Sequence, residues 1–251
     1  MVTLVGATML YGTVHQSVLA LFYLAISLLA VLWAVDCWTS RTLRFSRHLL
    51  QVPLAALGVY ALIQVVPIGS FNDAGGVTSI PRTLSADPFA TKATAVHIFA
   101  LVIFAAATLV YTDSAKRMRK LAAFFTVFGF AYAFYAVLQS VLSPDAIYGI
   151  YKPAAKPFGS FVNRNDFAAL MVMLASLPLG MLFSGTVARD KKLLYGVAVA
   201  LMATSILLSQ SRGGLIAFVV EVVLLAIITT RARGKKKLAL RLGLSVVLLA
   251  S

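Results

Sequence analysis

A chain of 251 residues that is 61% hydrophobic and only 12% charged is too apolar for a water-soluble core, and its long uncharged runs identify a polytopic membrane protein. The net charge of +14 would suit nucleic acid only if the basic residues formed one face of a soluble fold. Here they sit in short segments between apolar runs, so nucleic acid is excluded as a partner and membrane lipids are expected around the chain.

In chain order, residues 1 to 10, "MVTLVGATML", are apolar and uncharged. They read as the far half of a helix and lack the basic start of a signal peptide. Hydropathy then predicts complete spans near residues 17 to 35, 49 to 66, 93 to 111, 121 to 142, 166 to 184, 193 to 208 and 215 to 230. "LALRLGLSVVLLAS", residues 238 to 251, opens an eighth. The expected fold is therefore an all-α polytopic transmembrane helical bundle of seven complete spans with partial helices at both ends. Residues 1 to 251 read as a single transmembrane domain, the amino-terminal part of a longer membrane protein.

Charge orients the spans. The segments 41 to 47, 116 to 120, 189 to 192 and 231 to 241 hold 16 of the 22 Lys and Arg residues. The alternate segments hold Arg82, Lys92, Lys152, Lys156, Arg164 and Arg212. By the positive-inside rule the first set is cytoplasmic. The two longer connections, 68 to 92 and 143 to 165, then lie outside, and both are rich in Gly, Pro, Ser, Asn or Asp. Irregular loops of that kind are where sites are built.

Two of the outer helix starts carry chemistry. In "FVNRNDFAAL" Asn163 or Asn165 is placed to cap a helix beginning near Asp166, with Arg164 between them. In "SQSRGGL" the turn is expected at Ser209 to Gly214, with Ser211, Arg212, Gly213 and Gly214 before a helix beginning near Leu215, the glycines permitting a tight turn and close approach of the backbone to a ligand. An outward helix amino terminus offers unpaired amides and a positive dipole end, which together bind anions. Arginine's planar fork matches phosphate oxygens better than lysine's point charge. Two such starts suit a pyrophosphate; the competing reading is that Arg212 snorkels to headgroups beside a tight hairpin.

Other polar residues say less. Glu221 lies about nine residues into its span, so it must pair, be protonated or face water, and a polar contact in the bundle is expected. Tyr148, Tyr151, Phe158 and Phe161 stand in the outer loop beside Lys152 and Lys156, either as interface anchors or as flat faces for sugar rings. Cys37 has no partner cysteine. His15, His48 and His97 have no carboxylate at helical spacing, so no metal site and no cofactor is predicted.

"FGSFVNRNDFAALMVMLASLPLG" followed by "LLSQSRGGLIAF" resembles the O-antigen ligase and O-antigen polymerase superfamily of the bacterial inner membrane. Gly159, Phe161, Asn163, Asn165 and Ala168 match its Gly-x-Phe-x-Asn-x-Asn-x-x-Ala segment, and Ser211, Arg212 and Gly213 match its Ser-Arg-Gly segment. "MLYGTVHQSVLALFYLAISLLAVLW" and "TLSADPFATKAT" are similar to its early helices and first outer loop. The resemblance implies a multi-pass inner-membrane glycosyltransferase working at the periplasmic face. Such an enzyme moves a glycan from undecaprenyl pyrophosphate to an acceptor: a glycan, a lipid A core or a protein. Arg212 would then be the catalytic cation, with Arg164, Asn163, Asn165, Ser211, Gly213 and Lys156 binding the lipid-linked oligosaccharide or polysaccharide donor and no metal required. The family's histidine in a large later outer loop has no counterpart here, so the chain by itself is expected not to catalyse. The rival classes are a transporter or flippase for lipid-linked glycans and a noncatalytic assembly subunit. A flippase would place charge near the midplane and show repeated broken helices.

Overall fold

The computed structural model describes residues 1–46, 48–71 and 80–232. The expected eighth span at 238 to 251 and most of the basic segment before it lie outside the described residues. The described residues form eight α-helices and one short β-hairpin: α1 Val2–Met9, α2 Gln16–Ser40, α3 Gln51–Ile63, β1 Gly69–Phe71, β2 Ile80–Arg82, α4 Pro88–Tyr111, α5 Ala115–Leu142, α6 Arg164–Ser184, α7 Lys192–Leu208 and α8 Arg212–Ala232. Among the described residues six helices are long and apolar enough to cross a membrane: α2, α4, α5, α6, α7 with the 3-10 turn Arg189–Lys191 before it, and α8. The chain is a multi-pass membrane protein.

Six rather than seven long helices is a departure from the hydropathy reading, and it falls on residues 49 to 66. Only the 13 residues of α3 are α-helical there, about 20 Å at the standard rise. The ends of the apolar run wind into tighter turns, with the Gln51 amide donating to His48, Val52 to Leu49, Val65 to Leu62 and Val66 to Ile63. Pro67, which has no amide to donate, then stops the winding. Hydropathy counts residues and cannot see that change of pitch.

The chain divides into two compact units, Ala20–Ala115 and a second made of Met1–Leu19 with Lys116–Ser251. In the first, α3 returns against α4 through the antiparallel hairpin, in which Gly69 faces Arg82 and Phe71 faces Ile80. Asp87 caps α4 by accepting the Ala90 amide at 3.0 Å, with Pro88 in the first turn. Gly58 lets the helices close, since a Cβ there would stand 3.0 Å from the Phe99 ring. Polar pins join α2 to α4: the Tyr23 hydroxyl lies 3.3 Å from His97 Nδ1, and Tyr111 donates to Asp36 at 2.9 Å.

The second unit holds the larger core. Phe125, Tyr132, Ala133 and Ala136 of α5 meet Phe167, Met171, Leu174, Ala175 and Leu179 of α6 and Met202 and Ile206 of α7, with Phe158 closing one end. Alanines opposite large side chains let the helices approach closely, which favours association where lipid supplies no hydrophobic drive. Gly129 of α5 serves the same end: its missing Cβ would lie 2.5 Å from the Met202 methyl. Gly185, at φ 73°, ends α6 in the left-handed cap that glycine adopts without strain.

Candidate functional site

The site is built on the connection between α5 and α6, residues 143–163, which is irregular yet firmly held. Gln139, buried at 6% exposure near the end of α5, donates to the carbonyls of Ser143 at 2.8 Å and Ala146 at 3.0 Å and accepts the Gly159 amide at 3.0 Å. One amide side chain thus fixes both ends of the loop. Tyr132, about two turns earlier on the same face of α5, lies 2.5 Å from the Ser160 hydroxyl and accepts the Ser160 amide at 3.1 Å. The Ser160 hydroxyl also bonds the Thr8 carbonyl of α1 at 2.5 Å. Phe158 and Phe161 exchange both backbone hydrogen bonds at 3.2 Å, so Gly159 and Ser160 are the tip of a tight hairpin. Gly159 takes φ 61°, and a Cβ would press on the Tyr132 hydroxyl at 3.0 Å and the Phe167 ring at 3.1 Å. Glycine is required there on both counts.

That hairpin delivers the chain to the start of α6. Asn163 is the cap, its side-chain oxygen accepting the Asn165 amide at 2.9 Å. Asn165 does something else: its side-chain oxygen accepts the Ser211 hydroxyl at 2.8 Å across 46 residues of sequence. Ser211 is buried and in turn caps α8, its hydroxyl oxygen accepting the Gly214 amide at 3.2 Å. The two arginine-bearing helix starts, Arg164 on α6 and Arg212 on α8, are therefore held side by side.

The glycines play parts other than the expected ones. The turn between α7 and α8 is made by Gln210, at φ 55°, and α8 begins at Arg212 rather than near Leu215. Gly213 and Gly214 belong to its first turn. A Cβ on Gly214 would stand 2.5 Å from the Ala168 Cβ of α6, whereas one on Gly213 would meet nothing within 4 Å. Gly214→Ala is accordingly expected to force α8 off α6 and cost about 1 to 3 kcal/mol, the range for overpacking. Gly213→Ala should be neutral or stabilising by up to about 1 kcal/mol, as the helix loses a flexible residue. Thermal unfolding of the purified variants checks the contrast; equal effects would refute it.

Beside the junction lies a cleft of about 260 Å³ lined by Ser140, Pro144, Lys156, Phe158, Arg164, Ser209 and Gln210 among others. It brings together two of the expected donor-binding cations, Lys156 and Arg164. Arg212 is exposed at the head of α8 and is not part of the cleft wall. Lys156, Arg164 and Arg212 have no ion pair or side-chain hydrogen bond among the described residues. Asp166, in the first turn of α6, is the one carboxylate between residues 146 and 189, so the local charge is positive. Three cations and two positive helix ends make a surface of the kind that attracts anions. Asn165 and Ser211 hold the scaffold of that site, and Gly213 lies open on its surface.

Sequence reasoning did not find Gln139, Tyr132 or Ser160. Their signal was present: an amide and a phenol inside an apolar span must bond something. Periodicity does not say what. Burial pushes the Tyr148 phenol of the same loop above its usual range, so it stays a neutral donor, to the Met9 carbonyl. Glu221, expected to find a polar contact, has both carboxyl oxygens shielded from solvent without a hydrogen-bond partner among the described residues. The described residues contain no group of three metal-ligating side chains. Compared with protein-family models, curated proteins and solved structures, the chain matches none.

Proposed function

We propose that this chain forms the donor-binding part of a membrane glycosyltransferase of the O-antigen ligase or polymerase type, in the bacterial inner membrane with its site on the periplasmic side. The observation that carries the reading is the Asn165–Ser211 junction, which sets two arginine-bearing helix starts together beside the cleft of Lys156 and Arg164. Every position of the family-like segment also has a job at that junction: Gly159 turns the hairpin, Phe161 packs on Gly12, Asn163 caps α6, Asn165 bonds Ser211, and Ala168 receives α8. In this reading the helix starts and Lys156 bind the pyrophosphate of a lipid-linked glycan. Arg212 stabilises the negative charge that gathers on the leaving phosphate oxygen as the bond to the sugar breaks. α3 crosses the membrane as a seventh, short span, the bilayer thinning or the helix ends tightening to meet it.

The test has two arms. Undecaprenyl pyrophosphate should bind the protein in lipid nanodiscs at least tenfold more tightly than phosphatidylglycerol, which carries a single phosphate charge; equal affinities would remove the reading. Sidedness is checked in a Cys37→Ser background with single cysteines at the exposed positions Ala86, Ala154, Gln210, Lys116 and Asp190. The first three should react with an impermeant thiol reagent added to cells and the last two should not. The reverse pattern would place the site on the wrong side for a periplasmic enzyme.

A further inference from the structure

The same unit carries a second cluster that the pyrophosphate reading does not use. Tyr11 and His15, in the connection from α1 to α2, meet Tyr148 and Tyr151 of the outer loop. The Tyr11 ring stands 5.2 Å from His15, 5.9 Å from Tyr148 and 5.5 Å from Tyr151, and His15 stands 5.1 Å from Tyr151, all edge to face. Tyr135 of α5 stacks on Tyr148 at 5.6 Å. Edge-to-face packing leaves ring faces turned in several directions, and Tyr148 remains 37% exposed.

The backbone here is held in conformations that side chains avoid. Tyr11 at φ 56°, Thr13 at φ 60° and Tyr148 at φ 55° account for three of the five positive-φ residues other than glycine among the described residues. Thr13 is β-branched, for which this region is a genuine outlier. Strain of this kind persists where surrounding contacts over-determine it and gathers at ligand clamps. Three of the four polar side chains of the cluster are also unspent, the Tyr148 phenol being bonded to the Met9 carbonyl. The phenols of Tyr11 and Tyr151 and the His15 imidazole have no hydrogen-bond partner among the described residues. The Tyr135 hydroxyl is shielded from solvent and unpartnered as well. Tyr11, His15 and Tyr151 are half-buried, which leaves their polar atoms open to a ligand or to water.

Flat apolar faces edged by free hydroxyl and imidazole groups fit a ligand with C–H faces and a rim of hydroxyls, which is a saccharide. An aromatic cage for a cation is the other chemistry such rings offer. The nearby loop argues against it, since Lys152, Lys156 and Arg164 outnumber Asp145. We propose that Tyr11, His15, Tyr148 and Tyr151 form a saccharide platform that holds the glycan of the lipid-linked donor, while the α6 and α8 starts hold its pyrophosphate. The assignment rests on the proposed function. It adds that one loop, 143–163, connects the sugar subsite at Tyr148 and Tyr151 to the phosphate subsite at Lys156 and Arg164.

The deciding experiment compares two probes on the protein in nanodiscs: undecaprenyl pyrophosphate, and undecaprenyl pyrophosphate bearing a disaccharide. Tyr151→Ala should weaken the disaccharide-bearing lipid about three- to tenfold, the scale of one aromatic contact, and leave the bare lipid unchanged. Tyr151→Trp, which keeps a flat face, should restore sugar-dependent binding. Tyr151 has an ordinary backbone conformation, so its replacement does not alter a strained residue, and thermal unfolding monitors the fold. Equal weakening of both lipids, as an interface anchor predicts, would overturn the platform, and so would undiminished binding of the disaccharide form. In those cases tight binding of the bare lipid by the natural protein would leave the proposed function standing. Failure of the natural protein to bind either lipid would overturn both.

Discussion

In the complete enzyme of which this chain is proposed to form the donor-binding part, Arg212→Lys, inserted as well as the natural protein, is expected to transfer glycan from the lipid-linked donor about 100- to 1,000-fold more slowly, the usual effect of removing one positioned electrostatic donor. The substitution keeps the charge. What it loses is the planar fork that makes two parallel hydrogen bonds to phosphate oxygens. Arg212 is exposed at the head of α8 and bonds no other described side chain, so neither packing nor insertion depends on its shape, and lysine snorkels to headgroups as readily as arginine. Arg164, half-buried on the cleft wall, should behave differently. Arg164→Lys is expected to weaken ground-state binding of undecaprenyl pyrophosphate about 10- to 100-fold, the range for a charge-assisted hydrogen bond. Transfer at saturating donor should fall much less. Rates and binding constants normalised to inserted protein separate the two roles. Near wild-type transfer by the lysine form at 212 would rule out a forked phosphate contact and leave Arg212 a headgroup anchor.

Much of this arrangement was legible in the sequence because it follows from local rules. Asparagine before an apolar run predicts a cap, and Asn163 caps α6. Arginines beside polar residues predict charged helix starts; α6 begins at Arg164, close to the expected Asp166, whereas α8 begins at Arg212, a turn before the expected Leu215. What escaped the sequence was tertiary. Nothing local distinguishes Asn165 from Asn163, yet only Asn165 reaches Ser211. Nothing local tells Gly213 from Gly214 either; the helix phase turns one toward Ala168 and the other toward open space. Gln210, not a glycine, absorbs the left-handed turn, because the burial of Ser209 and Ser211 on either side fixes the chain there. Glu221 illustrates the opposite failure. A polar contact is expected for an intramembrane carboxylate, and Glu221 of α8 finds no hydrogen-bond partner among the described residues.

The largest structural effect is expected from Gln139→Leu. Leucine matches the bulk of glutamine and suits an apolar helix better, so α5 should insert at least as well. The loop, however, loses three hydrogen bonds at once: the Ala146 carbonyl loses its donor, the Gly159 amide loses its acceptor, and the Ser143 carbonyl keeps only the Ala146 amide. Stranded buried groups cost about 1 to 3 kcal/mol each, so the loop should open or draw in water rather than stay in place. Because Ser160 is held separately by Tyr132 and Thr8, opening should begin at residues 143–146 and spread toward the hairpin. Hydrogen exchange of the Gly159 amide is expected to accelerate about 10- to 100-fold, the equivalent of about 1.4 to 2.8 kcal/mol in local opening. Amides in the middle of α6 and α7, whose core contacts do not involve Gln139, should keep their protection. Binding of undecaprenyl pyrophosphate should weaken in parallel with the exchange, since the loop carries Lys156 to the cleft. Unchanged exchange at Gly159 would show that Gln139 does not hold the loop. Faster exchange with undiminished binding would show that the loop's fixed geometry is not what presents Lys156 and Arg164 to the anion.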